Sequence, residues 1–344
     1  MENTIKARKQ RWSDLYSEGQ KPGALILINQ NYGSRPLPYP ENKAGRIEYS
    51  LNMYRTQMDL LEYVDDDRIP FVSPYTGTEI FAGAFGCGIH YPKNDMPFAL
   101  PFVNSPGEAA KIKYPDLKSS RIIADIIDTA DKLKIAEPES LMQLPDIQSP
   151  LDIAALIWNK EDFFASMYED PAAVKELVAM TEKFLIEFLD LWFSRYGREF
   201  IAHYPDYYMP EGVTFSEDEI GALSPAMFRE FSLGSLNRLS EKYGMAGMHC
   251  CADSMHQWEG FKEIKNLKLL NLNLTHTPED FPKAYKYFEH TCVQMHSANI
   301  SDELYFDKNL NKNMRVVISD WADGKEEAAE KSKRLREKYS GQIL

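Results

Sequence analysis

The stretch Gly244-Met-Ala-Gly-Met-His-Cys-Cys-Ala-Asp-Ser-Met-His256 follows a segment with clear helical punctuation, Ser224-Pro225 at its start and Tyr243-Gly244 at its end. Its first part, Ala246 to Cys250, has the apolar content of a short buried strand. Residues two apart on a strand share a face, so His249 and Cys251 point one way and Cys250 the other. A His-x-Cys pair at a strand end supplies half of a zinc site.

Seven further apolar runs flank this one: Ala24 to Ile28, Ile69 to Ser73, Ser140 to Leu144, Val213 to Ser216, Leu267 to Leu274, Thr291 to His296 and Met314 to Ser319. Helical segments separate them. The clearest starts at Asp170-Pro171, an N-cap followed by proline in the first turn, and stops at Gly197. Eight strands alternating with helices predict a parallel sheet closed into a (β/α)₈ TIM-type barrel, with an open doubly wound sheet as the runner-up. Residues 4–18 form an N-terminal helical extension. No repeat, low-complexity block or linker divides residues 1–344, so one domain is expected. Barrel chemistry sits where strands end. The residues at those positions include Asp146, Glu217, Asp218, His249, Cys251, Asn273, His276, His296 and Asp320.

Of the 344 residues 44% are apolar and 26% charged, as expected for a chain with a sizeable core. The net charge of −13 argues against a nucleic-acid binder, which needs a basic stripe to neutralise phosphates. It leaves room for small anionic ligands, which need only a few local arginines. Four unevenly spaced cysteines do not make a disulfide framework and fit a reducing compartment. The charged N-terminus lacks a signal-peptide run, and no segment approaches the roughly 20 apolar residues of a membrane span. A cytoplasmic protein is expected, acting on a small molecule and not on nucleic acid or membrane.

Several motifs carry two readings. Ala84-Phe-Gly-Cys-Gly-Ile-His90 is a packed turn or offers Cys87 and His90 as ligands, and it lacks the ending of a phosphate loop. The linker from Ile201 to Pro210 is rich in aromatics. Its His203, Tyr204, Tyr207 and Tyr208 line a substrate mouth, pack on the barrel rim or make a dimer contact. Glu217-Asp-Glu219 caps the next helix or serves the site.

The chain resembles the superfamily that holds uroporphyrinogen decarboxylase and the cobamide-dependent coenzyme M methyltransferases, over roughly residues 45–340. The resemblance is carried by Glu161-Asp-Phe-Phe with Met167-Tyr-Glu-Asp-Pro171, by Leu223-Ser-Pro-Ala-Met-Phe-Arg-Glu-Phe231, and by Gly247-Met-His-Cys-Cys251. It implies a distorted (β/α)₈ barrel with its cleft at the strand C-termini. In the methyltransferase branch the counterparts of His249 and Cys251 bind zinc, which activates a thiol to accept a methyl group from a corrinoid. The completing cysteine of that branch, after the last strand, is absent: the chain reads Ile318-Ser-Asp-Trp-Ala-Asp-Gly324 there. Asp320 is the expected third metal ligand, with Glu217, Asp218 and His296 as other candidates. The arginine-rich segment of the decarboxylase branch is also missing, since the first strand is followed by Asn29-Gln-Asn-Tyr-Gly-Ser-Arg35.

The resemblance therefore implies a zinc-dependent methyltransferase using a corrinoid carried by a partner protein, with His249, Cys251 and Asp320 on the metal. The alternatives are a metal-independent decarboxylase of a carboxylated substrate and a non-catalytic corrinoid- or metabolite-binding barrel. Asp218, Glu217 and Asp146 are the catalytic candidates, Asp218 or Asp146 stabilising a developing cation in the decarboxylase reading. His203, Tyr204, Tyr207, His296 and Arg35 are the substrate-binding ones. By analogy with decarboxylase relatives, a homodimer is expected.

Overall fold

A computed structural model describes residues 4–17, 22–33, 42–93, 95–297 and 314–339. Arg35 lies outside these residues. The barrel strands are β1 (Gly23–Gln30), β2 (Phe71–Val72), β3 (Leu141–Met142), β4 (Val213–Ser216), β5 (Ala246–Cys250), β6 (Leu267–Leu272), β7 (Val293–Gln294) and β8 (Arg315–Ala322). All pair in parallel, and the order β1-β8-β7-β6-β5-β4 forms a continuous sheet. β2 and β3 form a separate parallel pair. These are the eight runs of the sequence in the order expected. β2, β3 and β7 shrink to two residues each, because their flanking residues turn into loops at the barrel mouth.

Two seams join the β2–β3 pair to the six-stranded sheet. Between β1 and β2, two carboxylates stand in for ladder carbonyls. The Ile26 N–H donates to Asp67 Oδ2 at 2.7 Å and the Ile28 N–H to Asp66 Oδ2 at 3.0 Å. Between β3 and β4, the Ser216 N–H donates to Ile147 O and the Ser149 N–H to Ser216 O. The barrel is thus closed but irregular, which is the distorted (β/α)₈ architecture.

The N-terminal helix Ile5–Tyr16 clamps the first seam from outside. Arg8, 1% exposed, pairs with Asp66 at 2.9 Å, Arg11 pairs with Asp67 at 2.6 Å, and Trp12 Nε1 donates to Asp67 O. Burial of two carboxylates demands such partners. The long helix Pro171–Tyr196 starts where the sequence placed it: Asp170 accepts from the Ala173 N–H, and Gly197 at φ +90° ends the helix in the left-handed region that glycine tolerates. Its Phe184 and Phe188 pack edge-on against Phe81 and bury the face opposite solvent.

An antiparallel hairpin, Phe200–Ile201 with Tyr208–Met209, precedes β4 and projects the loop 202–207 over the barrel mouth. A second hairpin, Gly88–His90 with Phe98–Leu100, holds the glycine-rich motif. There Cys87 is buried with Sγ against Leu156 O, while His90 packs on Phe98 at the surface. The packed-turn reading describes this motif. Among the described residues no helix is long and apolar enough to cross a membrane.

Candidate metal centre and cavity

β4 and β5 run side by side in register, Ser216 opposite His249, so the residues that follow each strand meet at the barrel mouth. There Asp218, His249 and Cys251 bring one carboxylate oxygen, one ring nitrogen and one sulfur within 4.8 Å of one another. The strand alternation is as expected: Cys250 is fully buried on the opposite face, and Cys251 opens to solvent. Asp218 is fixed at both ends. Its N–H donates to Asp152 Oδ2 at 2.6 Å, and its Oδ1 accepts from the Cys251 N–H at 2.6 Å. Burial and the neighbouring Asp218 carboxylate hold the Cys251 thiol at about 12, so without a cation beside it the sulfur keeps its proton. Burial lowers the basicity of His249 and favours its neutral, ligand-competent ring. One imidazole, one sulfur and one carboxylate form a donor set that suits a borderline-soft divalent ion such as zinc, with a position left over for a substrate.

Asp320 stands apart from this group. It lies on β8, whose neighbours are β7 and β1, and faces Lys331 at 3.8 Å. Asp218 occupies the third-donor position instead. Glu217 is turned away as well. It is fully buried, accepts from Ser232 Oγ at 3.0 Å behind the sheet, and is pushed up to about 8 mainly by burial.

Beside the three donors opens a cavity of about 680 Å³, with Arg68, His203, Tyr204, Asp206, His296 and Asp320 in its wall. His203 Nε2 lies 3.2 Å from Asp146 Oδ1, and Asp146 is held by Gln148 Nε2 and by Thr76 Oγ1 on its N–H. Both members of this dyad lie within electrostatic reach of His249. Tyr204, also in the cavity wall, packs edge-on against the His249 ring with centroids 4.7 Å apart, so the cavity and the metal-type donors adjoin at this ring pair. Gln143 anchors the loop through Asp206 at 2.7 Å and Ala202 O.

The other substrate-binding candidates differ. His296 reaches the cavity wall, but both ring nitrogens are engaged within the protein, Nδ1 by the Leu272 N–H and Nε2 by Gln294, and burial lowers it to about 3. Tyr207 is 1% exposed and packs against β5, outside the cavity wall. Its hydroxyl crowds Gly247, where an added Cβ would sit 2.0 Å from Tyr207 Oη. Residues the sequence did not single out also take part: Asp152, Asn271, Arg68 and Asp206. In sequence, an acidic residue three positions after Ser149 marks a helix start and gives no sign of a brace on Asp218.

A parallel eight-stranded barrel with a donor cluster and a cavity at its strand C-termini defines the class as a (β/α)₈ barrel protein. Within that class, the uroporphyrinogen decarboxylase (URO-D) family model matches residues 52–294, and the chain belongs to this family. A methyltransferase from Methanosarcina mazei has the same fold, with a TM-score of 0.68 over 98% of this chain and 100% of its own at 12% identity. No curated protein matches the chain.

Proposed function

We propose that this protein is a zinc-dependent methyltransferase that moves a methyl group from a corrinoid or small methylated donor to a thiol-type acceptor. The observation that carries this reading is the convergence of Asp218, His249 and Cys251 within 4.8 Å beside the cavity. A zinc ion bound there supplies Lewis-acid activation, lowering the pKa of a coordinated thiol so that its thiolate is available as nucleophile. The chain's own residues prepare the site. Asp152 holds the Asp218 backbone, and Asp218 in turn holds the Cys251 N–H. His203, oriented by Asp146, lines the cavity and takes the proton that the acceptor thiol gives up. Tyr204 packs against the His249 ring. The donor comes from a methylated corrinoid on a separate protein, presented at the open mouth.

Zinc analysis of the purified protein tests this. About one zinc per chain is expected, falling to background in His249→Ala, Cys251→Ala and Asp218→Ala, while Asp320→Ala retains it. Zinc content unchanged by all three of the first variants would overturn the reading. The family match favours a second reading, metal-independent decarboxylation with Asp146 as the anionic group. Loss of acetate carboxyls from uroporphyrinogen, undiminished in His249→Ala and Cys251→Ala, would establish it.

A further inference from the structure

We propose that Asn271 is a positioning residue that fixes His249 as an Nε2 metal donor; this rests on the metal reading above. β5 and β6 pair in parallel with Asn271 opposite His249, and Asn271 is fully buried. Its side chain is committed at both ends. Nδ2 donates to Met295 O, with Ser297 Oγ at 3.4 Å, and Oδ1 meets His249 Nδ1 at 2.6 Å.

A flipped amide would set Oδ1 against the Met295 carbonyl and Nδ2 against the imidazole, so the carbonyl on β7's C-terminal side dictates which end faces His249. An amide oxygen only accepts. The proton of the neutral ring must therefore reside on Nδ1, and the lone pair on Nε2. Tyr204 packs on the ring from the cavity side and limits its rotation. Tautomer and ring orientation are thus set before any cation arrives, as outer partners of ligating histidines commonly do.

The test uses ¹⁵N-histidine-labelled, metal-free protein, with His249 assigned by its loss in His249→Gln. Two-bond proton–nitrogen correlation is expected to show protonated Nδ1 and bare Nε2 in the wild type. In Asn271→Leu the proton redistributes to Nε2, and zinc affinity in chelator competition falls roughly 10- to 100-fold. Asn271→Asp keeps an acceptor on Nδ1, so the tautomer persists. A protonated Nε2 in the wild type overturns the inference even if Asn271→Leu fails to fold. So does an Asn271→Leu protein that binds zinc as the wild type does. Should the expected tautomers appear while neither protein binds zinc, the metal reading falls and the orientation of His249 by Asn271 stands.

Discussion

Two adjacent positions, Tyr207 and Gly247, show how tightly the site's foundation is packed. Tyr207 is buried with no hydrogen-bond partner for its hydroxyl among the described residues, against the glycine that precedes Met248 and His249 on β5. Gly247→Ala is expected to lose about 1–3 kcal/mol by overpacking, measured in urea. Tyr207→Phe removes the crowding oxygen, so Gly247→Ala should cost less in that background. Tyr207→Phe alone is expected to be neutral or stabilising, because an unpaired buried hydroxyl is a liability. A double-mutant cycle that finds the two changes additive would reject this account. The same scale shows what the sequence could reveal. His249 and Cys251 were legible because strand alternation is local. The choice between the candidates Asp218 and Asp320 was not, since which strand ends converge depends on the three-dimensional packing of the strands. Asn271 was hidden because an asparagine amid leucines looks like a strand defect until its two neighbours in space are known.

At the level of elements, the helix–strand alternation was readable because proline, glycine and N-cap residues punctuate it. The hairpin around 200–209 was not, as its two-residue arms carry no periodicity. Neither was the turn after β2, where Glu79 is buried and its Oε2 accepts from the Gly77 N–H at 2.8 Å. Burial, reinforced by Asp146 and opposed by Arg46, raises the Glu79 carboxyl to about 7. The folded chain therefore keeps this proton at a pH where the unfolded chain has released it. Stability from this group is full below the ordinary glutamate range and lost as pH rises through about 7, by about 3 kcal/mol at most. Glu79→Gln should flatten that part of the profile while keeping the Gly77 contact. Identical slopes for both proteins in urea melts between pH 5 and 7.5 would count against it.

For the whole molecule, the N-terminal helix is part of the barrel's closure. Arg8 is enclosed between Asp66, Arg68 O and Val64 O. Arg8→Ala leaves Asp66 buried without its main cation and is expected to cost about 3–5 kcal/mol. Thermal and urea unfolding would measure it, and a loss below about 1 kcal/mol would show the helix to be peripheral. The (β/α)₈ class itself was readable from the count of strands. The two side-chain and single-bridge seams were not, because a carboxylate replacing a carbonyl leaves no mark in a hydropathy pattern.

The second of those seams lies between the two halves of the proposed chemistry. Asp146 and His203 approach from the β3 side, while Asp218, His249 and Cys251 belong to β4 and β5. Among the described residues, the bonds that span that line include the Gln148–Ser216 bridge and the Asp152 carboxylate on the Asp218 and Glu219 N–H groups. The spacing between proton acceptor and metal-type donors is therefore set by side-chain and loop contacts and not by a regular strand ladder. Asp152→Ala removes the carboxylate that crosses the joint to the Asp218 and Glu219 N–H groups, so zinc affinity in chelator competition is expected to fall while the His203–Asp146 pair on the other side keeps its contact.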